Sequence, residues 1–306
     1  MTVPSAAGLV LGYAADRLLA DPRRGHPVAG FGQVAAALER ATWRDERTAG
    51  VLYAGSLVGG AVVLGLVAQR ALPGALPRTI LTAAATWAVL GGTSLDREAA
   101  EVGRLLAEGD LPRARQQLTH LVGRDTTRLD EAEVVRATLE SLAENTSDAV
   151  VAPLVWGAVA GVPGLLGYRA ANTLDAMVGH RSARYERFGW AAARVDDLLN
   201  LPGSRLTAVL GTVLGPDPRG AWRAWRRDAA GHPSPNAGPV EAAFAGALGI
   251  RLGGTNDYGG RIEHRALMGD GPAPDRAGLE QARVLARRIG TAAALAAAGV
   301  ALLRRS

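Results

Sequence analysis

The chain has 306 residues, of which 48% are hydrophobic and only 5% aromatic, with a formal net charge of +5. It contains no cysteine, which excludes disulfides, thiolate metal sites and cysteine nucleophiles. All 34 basic residues are arginine, so a lysine Schiff base and the lysine of a phosphate-binding P-loop are excluded as well; phosphate chemistry must use arginines, backbone amides or a metal.

Several uncharged runs approach the roughly 20 residues that a helix needs to cross a hydrocarbon core. The expected fold class is all-α: a polytopic integral membrane protein with about four to six membrane-embedded helices and an extramembrane helical insert. The first apolar stretch, 3–15, lacks a basic leader and is cut off by Asp16, Arg17 and Asp21 too early for a cleavable signal, so it is expected to belong to the fold. Residues 48–69 and 79–95 are the clearest runs and, with the Pro/Gly turn at 73–77, predict a helical hairpin. Between Asp96 and Asp148 the chain turns polar. Seven arginines against twelve acidic residues give this segment −5, leaving +10 for the remainder, and its apolar residues recur at helical spacing. Within it, Gly109-Asp110-Leu111-Pro112 breaks one helix, and a second starts in 123–140 with Thr127 or Asp130 as N-cap. Arg124, Asp125 and Thr126 fall in the loop before it, where they form either a phosphate-holding turn or an ordinary capping turn.

Arg136, Glu140, Glu144 and Asp148 recur every four residues and share one face of a helix that runs into an uncharged stretch at 149–168. The stripe is either a solvated face or the polar side of a reaction site at a membrane surface. Pro153 and Pro163 would kink or break the stretch and are compatible with a re-entrant path. Beyond it, Tyr168, Asn172 and Asp175 form one helical stripe, and Asp196, Asp197 and Asn200 a second cluster. Carboxylates with amides one turn away suit a hard divalent cation; pairing of Asp175 and Asp197 with Arg169, Arg181 or Arg194 is the alternative. The five histidines lack zinc-ligand spacing, although His26 and His180 are candidates for a place near the site. In 232–260, Asn236 is expected to cap a helix whose N-terminal amides attract an anion, while Gly253-Gly254 and Gly259-Gly260 permit close approach to a ligand. Ala243, Gly246 and Ala247 suit close helix packing in a membrane. The last apolar run, 289–303, is bounded by Arg287, Arg288, Arg304 and Arg305, which could snorkel to the interfaces. Basic clusters at 222–227 and 283–288 adjoin apolar runs, which favours anionic lipid headgroups over nucleic acid.

Four segments, DRLLADPRRGHPVAGFG (16–32), GRDTTRLDEAEVVRATLESLAENTSDAVVAPLVW (123–156), YRAANTLDAMVGHRSARYERFGWAAARVDDLLNLPGSRLT (168–207) and SPNAGPVEAAFAGALGIRLGG (234–254), together resemble the adenosylcobinamide-phosphate synthases of cobalamin biosynthesis, the CobD/CbiB family. The resemblance spans nearly the whole chain, with the hairpin at 48–95 its least diagnostic part. Where the family usually reads NTLDSMVGY this chain reads NTLDAMVGH, so a hydroxyl role at Ala176 or a phenol role at His180 is not carried over.

The resemblance implies one membrane-embedded ligase domain over 1–306, with a cytoplasmic helical insert at 96–148, in a multi-pass protein of the cell membrane whose active site faces the cytoplasm. The implied reaction is ATP-dependent amide formation between adenosylcobyric acid and (R)-1-aminopropan-2-ol O-phosphate, or the free amino alcohol, giving adenosylcobinamide (phosphate). Activation through an acyl phosphate or an acyl adenylate stays open. ATP and Mg²⁺ are the implied cosubstrate and cofactor, the corrinoid is the substrate, and the lipid bilayer is the surroundings. A homo-oligomer or an association with other membrane enzymes of the late pathway stays open. On the matching motif positions and side-chain chemistry, Glu144, Asp148 and Asp175 are expected to hold Mg²⁺ and ATP, with Asn145 and Asn172 orienting them. Arg124 and Arg169 are expected to bind phosphates, Asp125, Thr126 and, in a separate segment, Asn236 are further nucleotide-binding candidates, and Asp196 or Asp197 is the candidate base. Trp156, Tyr168, Trp190 and Tyr258 are candidates to cradle the corrinoid. The competing readings are a non-catalytic corrinoid-binding scaffold of the same pathway and a transporter; the uncharged centres of 48–69 and 79–95 argue against the latter.

Overall fold

The computed structural model describes residues 2–21, 25–180, 182–257 and 262–303. Arg181, Tyr258, Gly259, Gly260, Arg304 and Arg305, all named above, lie outside the described residues. The chain is mostly helical, as expected for the all-α class, with one two-stranded antiparallel sheet added. It divides into two compact units: 1–91 with 152–202 and 294–306, and 92–151 with 203–293.

In the first unit, α1 (Thr2–Leu19) lies along α4 (Ala75–Val89), and α3 (Arg47–Ala71) lies along α9 (Val162–Leu174). The first pair approaches closely because Gly8 and Gly12 face Thr82 and Thr86; a side chain on Gly12 would run into that of Thr86. Helix α2 (Pro27–Thr42) starts with its cap satisfied, the imidazole Nδ1 of His26 accepting the Val28 N–H at 3.1 Å. It contributes Ala35 to a core with Tyr53, Leu57, Leu174, Val178 and Phe188, in which the Tyr53 and Phe188 rings lie 4.9 Å apart.

The apolar runs do not map one-to-one onto helices. Helix α3 is continuous for 25 residues, about 37 Å at 1.5 Å per residue and so longer than a hydrocarbon core. The second run stops being helical at Leu90, whose backbone is extended, and Gly92 opens a new helix, α5 (Gly92–Ala107); the adjacent pair Gly91-Gly92 is the weak point in the helical stretch. The third run is also divided. A π-helical turn at 147–151 leads into α8 (Ala152–Ala160), and Gly161, at φ +68°, separates α8 from α9. Pro163 then sits in the first turn of α9, where its missing N–H costs nothing. The break is therefore at the glycine that can adopt a left-handed backbone; Pro163 follows a helix start, whereas Pro153 follows the π-helical turn without interrupting the helical path.

In the second unit, α5, α6 (Leu111–Leu118) and α7 (Glu131–Thr146) form the helical segment expected at 96–148. Of the two N-cap candidates for α7, Asp130 is the cap; its side chain accepts from Glu133 N–H at 2.8 Å while Glu133 accepts from the Asp130 N–H at 2.9 Å. Helix α10 (Trp190–Leu214) runs on through Pro202, residues 190–202 belonging to the first unit and 203–214 to the second, and α11 (Pro218–Asp228) packs on α12 (Ala237–Leu248), every residue of which from Ala237 to Ala247 is buried. Gly246 lies against the Gly220 carbonyl, so the small residues of α12 serve close helix packing. Strands β1 (Leu252–Asp257) and β2 (Ile262–Met268) pair with a bulge at Gly253, where φ is +84°. Helix α13 (Arg276–Leu303) starts well before the apolar run at 289; its Arg283 and Arg287 donate to Asp96 of α5 at 2.9 and 3.1 Å.

Gly12→Val should lower stability by about 1–3 kcal/mol through overpacking against Thr86, seen as a lower thermal midpoint in detergent. Gly55→Ala on α3, where nothing lies within 4 Å of the new methyl, should be neutral or slightly stabilising.

Candidate functional site

Two polar clusters stand out, one in each unit. In the first unit the cluster is a hydrogen-bonded chain centred on Asp196 of α10, which is 7% exposed. The Tyr168 hydroxyl donates to Asn200 Oδ1 at 2.6 Å, and Asn200 Nδ2 donates to Asp196 Oδ2 at 2.9 Å. From α9, Asn172 Nδ2 donates to Asp196 Oδ1 at 3.3 Å, while Arg169 donates to Asn172 Oδ1 at 3.4 Å. Helical spacing supplies both halves: Tyr168 and Asn172 are one turn apart on α9, and Asp196 and Asn200 one turn apart on α10. Burial, reinforced by the negative charge of Asp175, pushes the Asp196 carboxyl up to about 7 against the opposing hydrogen bonds from Asn172 and Asn200. Its neighbour Asp197 is also raised by burial, but it is more exposed and lies 4.0 Å from the Arg194 guanidinium, which opposes the shift. Asp175 opens a second π-helical turn, 175–179.

The carboxylate and amide oxygens of Asp175, Asp196 and Asn172 are hard donors of the type Mg²⁺ prefers, and the repulsion between the two carboxylates is what a divalent cation would relieve. Among the described residues, no three His, Asp or Glu side chains are gathered into a ready cation cage. Arg169 also borders an apolar cavity of 360 Å³ lined by Phe31, Leu57, Leu64, Val89 and Leu166. Of the aromatic candidates, Tyr168 is fully buried and spends its hydroxyl on Asn200; Trp156 donates to the Leu199 carbonyl; Trp190 is 39% exposed with Arg47 over its ring. His180 packs edge-on against Tyr185.

The second unit's cluster is built on α7. Glu140 is buried; its Oε2 accepts from Arg124 at 3.0 Å and its Oε1 from the Gly253 N–H at 2.9 Å. Arg136, one turn earlier, donates to the carbonyls of Gly253 and Thr255. The bulge glycine therefore approaches α7 closely, and Arg136 and Glu140 serve the hairpin's backbone. Thr126 donates to the Arg115 carbonyl at 2.9 Å, and Asp125 accepts from the amide and hydroxyl of Thr127 at 2.9 and 2.7 Å, which is the capping-turn arrangement of this loop. Asn145 donates back to the Ser141 carbonyl at 3.0 Å. Asp148 lies in the π-helical turn, which changes the phase of the four-residue stripe. Glu144 is partly buried; desolvation raises its carboxyl, the Arg265 guanidinium opposes the shift, and Glu140 adds to it.

The expected cap at Asn236 is corrected. Its side chain makes no capping bond; Oδ1 instead accepts from Ser204 and Arg205, each at 2.9 Å. Ser234 takes over, its hydroxyl accepting the N–H groups of Asn236 and Ala237 at 3.2 Å, because it stands one residue back from the turn that presents them.

The sequence carries a family signature over most of its length: residues 9–286 match the model of the CobD/CbiB protein family. The chain belongs to the CobD/CbiB family. Among curated relatives, a cobalamin biosynthesis protein CobD of Mycobacterium tuberculosis is 53% identical over 304 residues, covering 98% of this chain and 97% of the relative. Namesakes from Rhodobacter capsulatus and Chromobacterium violaceum are each 45% identical, covering 92% and 98% of this chain and the same shares of their own lengths. No solved structure is a significant match.

In this CobD/CbiB chain the structure adds Glu241, with buried His232 3.6 Å away, to the buried polar groups of the second unit. Glu241 has no exposed surface, and among the described residues neither carboxylate oxygen has a hydrogen bond. Burial pushes it well up, with Glu140 and Glu144 adding to the shift and Arg265 and Arg124 opposing it. One carboxylate in the otherwise apolar helix PVEAAFAGAL was the available signal, since a buried charge is rare without a reason.

Breaking the Arg124–Glu140 pair should be costly. Arg124→Met strands a buried carboxylate and should destabilise by roughly 3–5 kcal/mol, whereas Arg124→Met with Glu140→Leu should recover part of the loss in a thermal-unfolding cycle. Asp196 should leave a trace in the pH dependence of stability. Because its folded-state value is raised, the native state binds the extra proton between about pH 4 and 7, and stability is lost as pH rises through that window. The slope has an upper bound of about 1.4 kcal/mol per pH unit. In Asp196→Asn the thermal midpoint should fall less between pH 5 and 8 than in the wild type.

Proposed function

We propose that this protein acts in cobalamin biosynthesis as an ATP-dependent amide ligase, joining a propionate carboxyl of adenosylcobyric acid to the amine of (R)-1-aminopropan-2-ol O-phosphate or of the free amino alcohol. Family membership supports the pathway, and the observation that carries the chemistry is the Asp196 cluster: a buried carboxylate held by two amides and raised to about 7, the value suited to a general base near neutrality.

A carboxylate resists amine attack because oxide would have to leave. ATP therefore converts it to an acyl phosphate or acyl adenylate, and the amine displaces phosphate or AMP while a base takes the ammonium proton. Asp196 is the base we assign, in preference to Asp197, which is more exposed and lies near Arg194. Asn172 and Asn200 fix its orientation, and Arg169 binds phosphate oxygens, a role for which Arg124 is less suited because Glu140 engages it. Asp175, in a π-helical turn of the kind common at functional sites, is the carboxylate we propose for Mg²⁺. When bound, Mg²⁺ would neutralise phosphate charge.

A multi-pass membrane location forms part of the proposal. Helices α3 and α13 are long and apolar enough to cross a bilayer, and only 22% of the apolar stretch of α3 is buried. Leu52, Val63, Leu64 and Val67 face outward on α3, an exposure that lipid would cover and water would penalise. We place the active site on the cytoplasmic side, where ATP is available.

Purified protein in detergent, given adenosylcobyric acid, aminopropanol phosphate and Mg·ATP, should yield the amide by mass, with release of ADP or AMP identifying the intermediate. Asp196→Asn should lower kcat by about 10²–10⁴-fold. Product absent under all conditions sinks the ligase reading; a near-normal rate in Asp196→Asn sinks the base assignment.

A further inference from the structure

The proposed chemistry makes no use of the outward face of α11. The inner side of this helix is small: Ala221 and Ala224 are buried where it packs on α12, and Gly220 lies against the Gly246 carbonyl. The opposite side carries Arg219, Trp222, Arg223 and Arg226, which stand at i, i+3, i+4 and i+7 and are all exposed, Trp222 by 51%. Arg226 lies over the Trp222 ring at 5.6 Å. Among the described residues Arg219, Arg223 and Arg226 enter no ion pair, whereas Arg227 at the helix end is held by Asp228 and Asp270 at 2.6 and 2.8 Å. Asp217, the exposed carboxylate at the helix start, serves as its cap and accepts the Gly220 N–H at 2.9 Å. The face thus presents three guanidiniums and an indole to its surroundings.

Neighbouring residues of the same unit indicate what those surroundings are. The part of α10 that leads into α11 turns Val209 and Val213, one turn apart, outward with 44% and 66% exposure. Between them Gly211 lies against Ile289, where the apolar run of α13 starts, and the exposed Arg288 immediately precedes that run. Outward valines, then an indole, then guanidiniums follow the order of hydrocarbon, interface and phosphate on the way out of a bilayer. A nucleic acid or an acidic protein would engage the arginines and leave the valines in water. An anionic lipid surface accommodates both. We infer that α11 is an interfacial helix that docks on anionic lipid headgroups, with Trp222 at the headgroup level and Arg219, Arg223 and Arg226 on the lipid phosphates. The inference builds on the membrane location proposed above and is independent of the ligase chemistry.

The test follows Trp222 emission, taken as wild type minus Trp222→Phe, in the full chain held in neutral detergent micelles and titrated with phosphatidylglycerol or with phosphatidylcholine. Phosphatidylglycerol should shift the emission to shorter wavelength and phosphatidylcholine should not; salt at about 0.5 M should reverse the shift. Each arginine near an anionic surface is worth about fivefold, so Arg219→Gln combined with Arg223→Gln should raise the phosphatidylglycerol fraction at half-effect by about tenfold or more. Should the double variant fail to fold, Arg223→Gln alone takes its place, with an expected rise of about threefold or more. An equal response to both lipids, no response to either, or an unchanged midpoint in the folded variants would overturn the inference, and so would the same shift produced by glycerol 3-phosphate or duplex DNA at matched phosphate. Washing protein-bearing vesicles with alkaline carbonate separates docking from membrane crossing. Protein released by the wash with its Trp222 response intact removes the crossing and leaves the docking face; protein retained without that response does the reverse.

Discussion

An ionisable side chain taken out of water must be matched by a partner or lose its charge, and that constraint organises the polar half of each unit. The unmatched alternative costs several kcal/mol per group, a large part of the stability of a domain. Glu140 meets the demand twice over, with a guanidinium on one oxygen and a backbone amide on the other, and in doing so ties the 124 loop and the bulged hairpin to α7. Asp96 does the same between α5 and α13 with Arg283 and Arg287. Because all the cations are arginine, each such contact uses a planar fork with several donors, which suits buried pairing better than an ammonium on a flexible stem.

The same constraint sorts the acidic stripe of α7. Four residues at one spacing look equivalent in the sequence, yet Arg136 and Glu140 are consumed by the hairpin backbone, while Glu144 keeps a partly exposed side and Asp148 is turned by the π-helical segment. A stripe defined by period alone assigns a face; it does not say which members the neighbouring element will claim.

Legibility in the sequence followed the range of the interactions. Local ones were readable: the Asp130 capping box, the Pro/Gly turn before α4, the helical segment at 96–148 and the apolar length of α3 all depend on residues within a few positions. The one-turn pairs Tyr168/Asn172 and Asp196/Asn200 were readable as stripes, but the hydrogen bond from Asn172 to Asp196 spans 24 positions and no spacing rule reports it. The hairpin is not legible in the sequence because its first strand is glycine-rich and bulged, which erases the two-residue alternation that marks strands. Asn236 suits a cap by residue type, but Ser234 accepts the amides because capping depends on where an oxygen falls relative to them. Glu241 carries no local signal of its surroundings, since the charges around it come from α7, the loop at Arg124 and β2.

Asp196 and Glu241 are both buried carboxylates raised by desolvation, yet their surroundings differ. Protein donors on both oxygens hold Asp196 in one orientation and temper its shift, the condition for a base that must meet a proton at a fixed place and return to its starting state. Among the described residues Glu241 has no such donors, so burial disfavours its charge without fixing its direction. The hydrogen-bond inventory therefore separates two carboxylates that desolvation alone would treat alike.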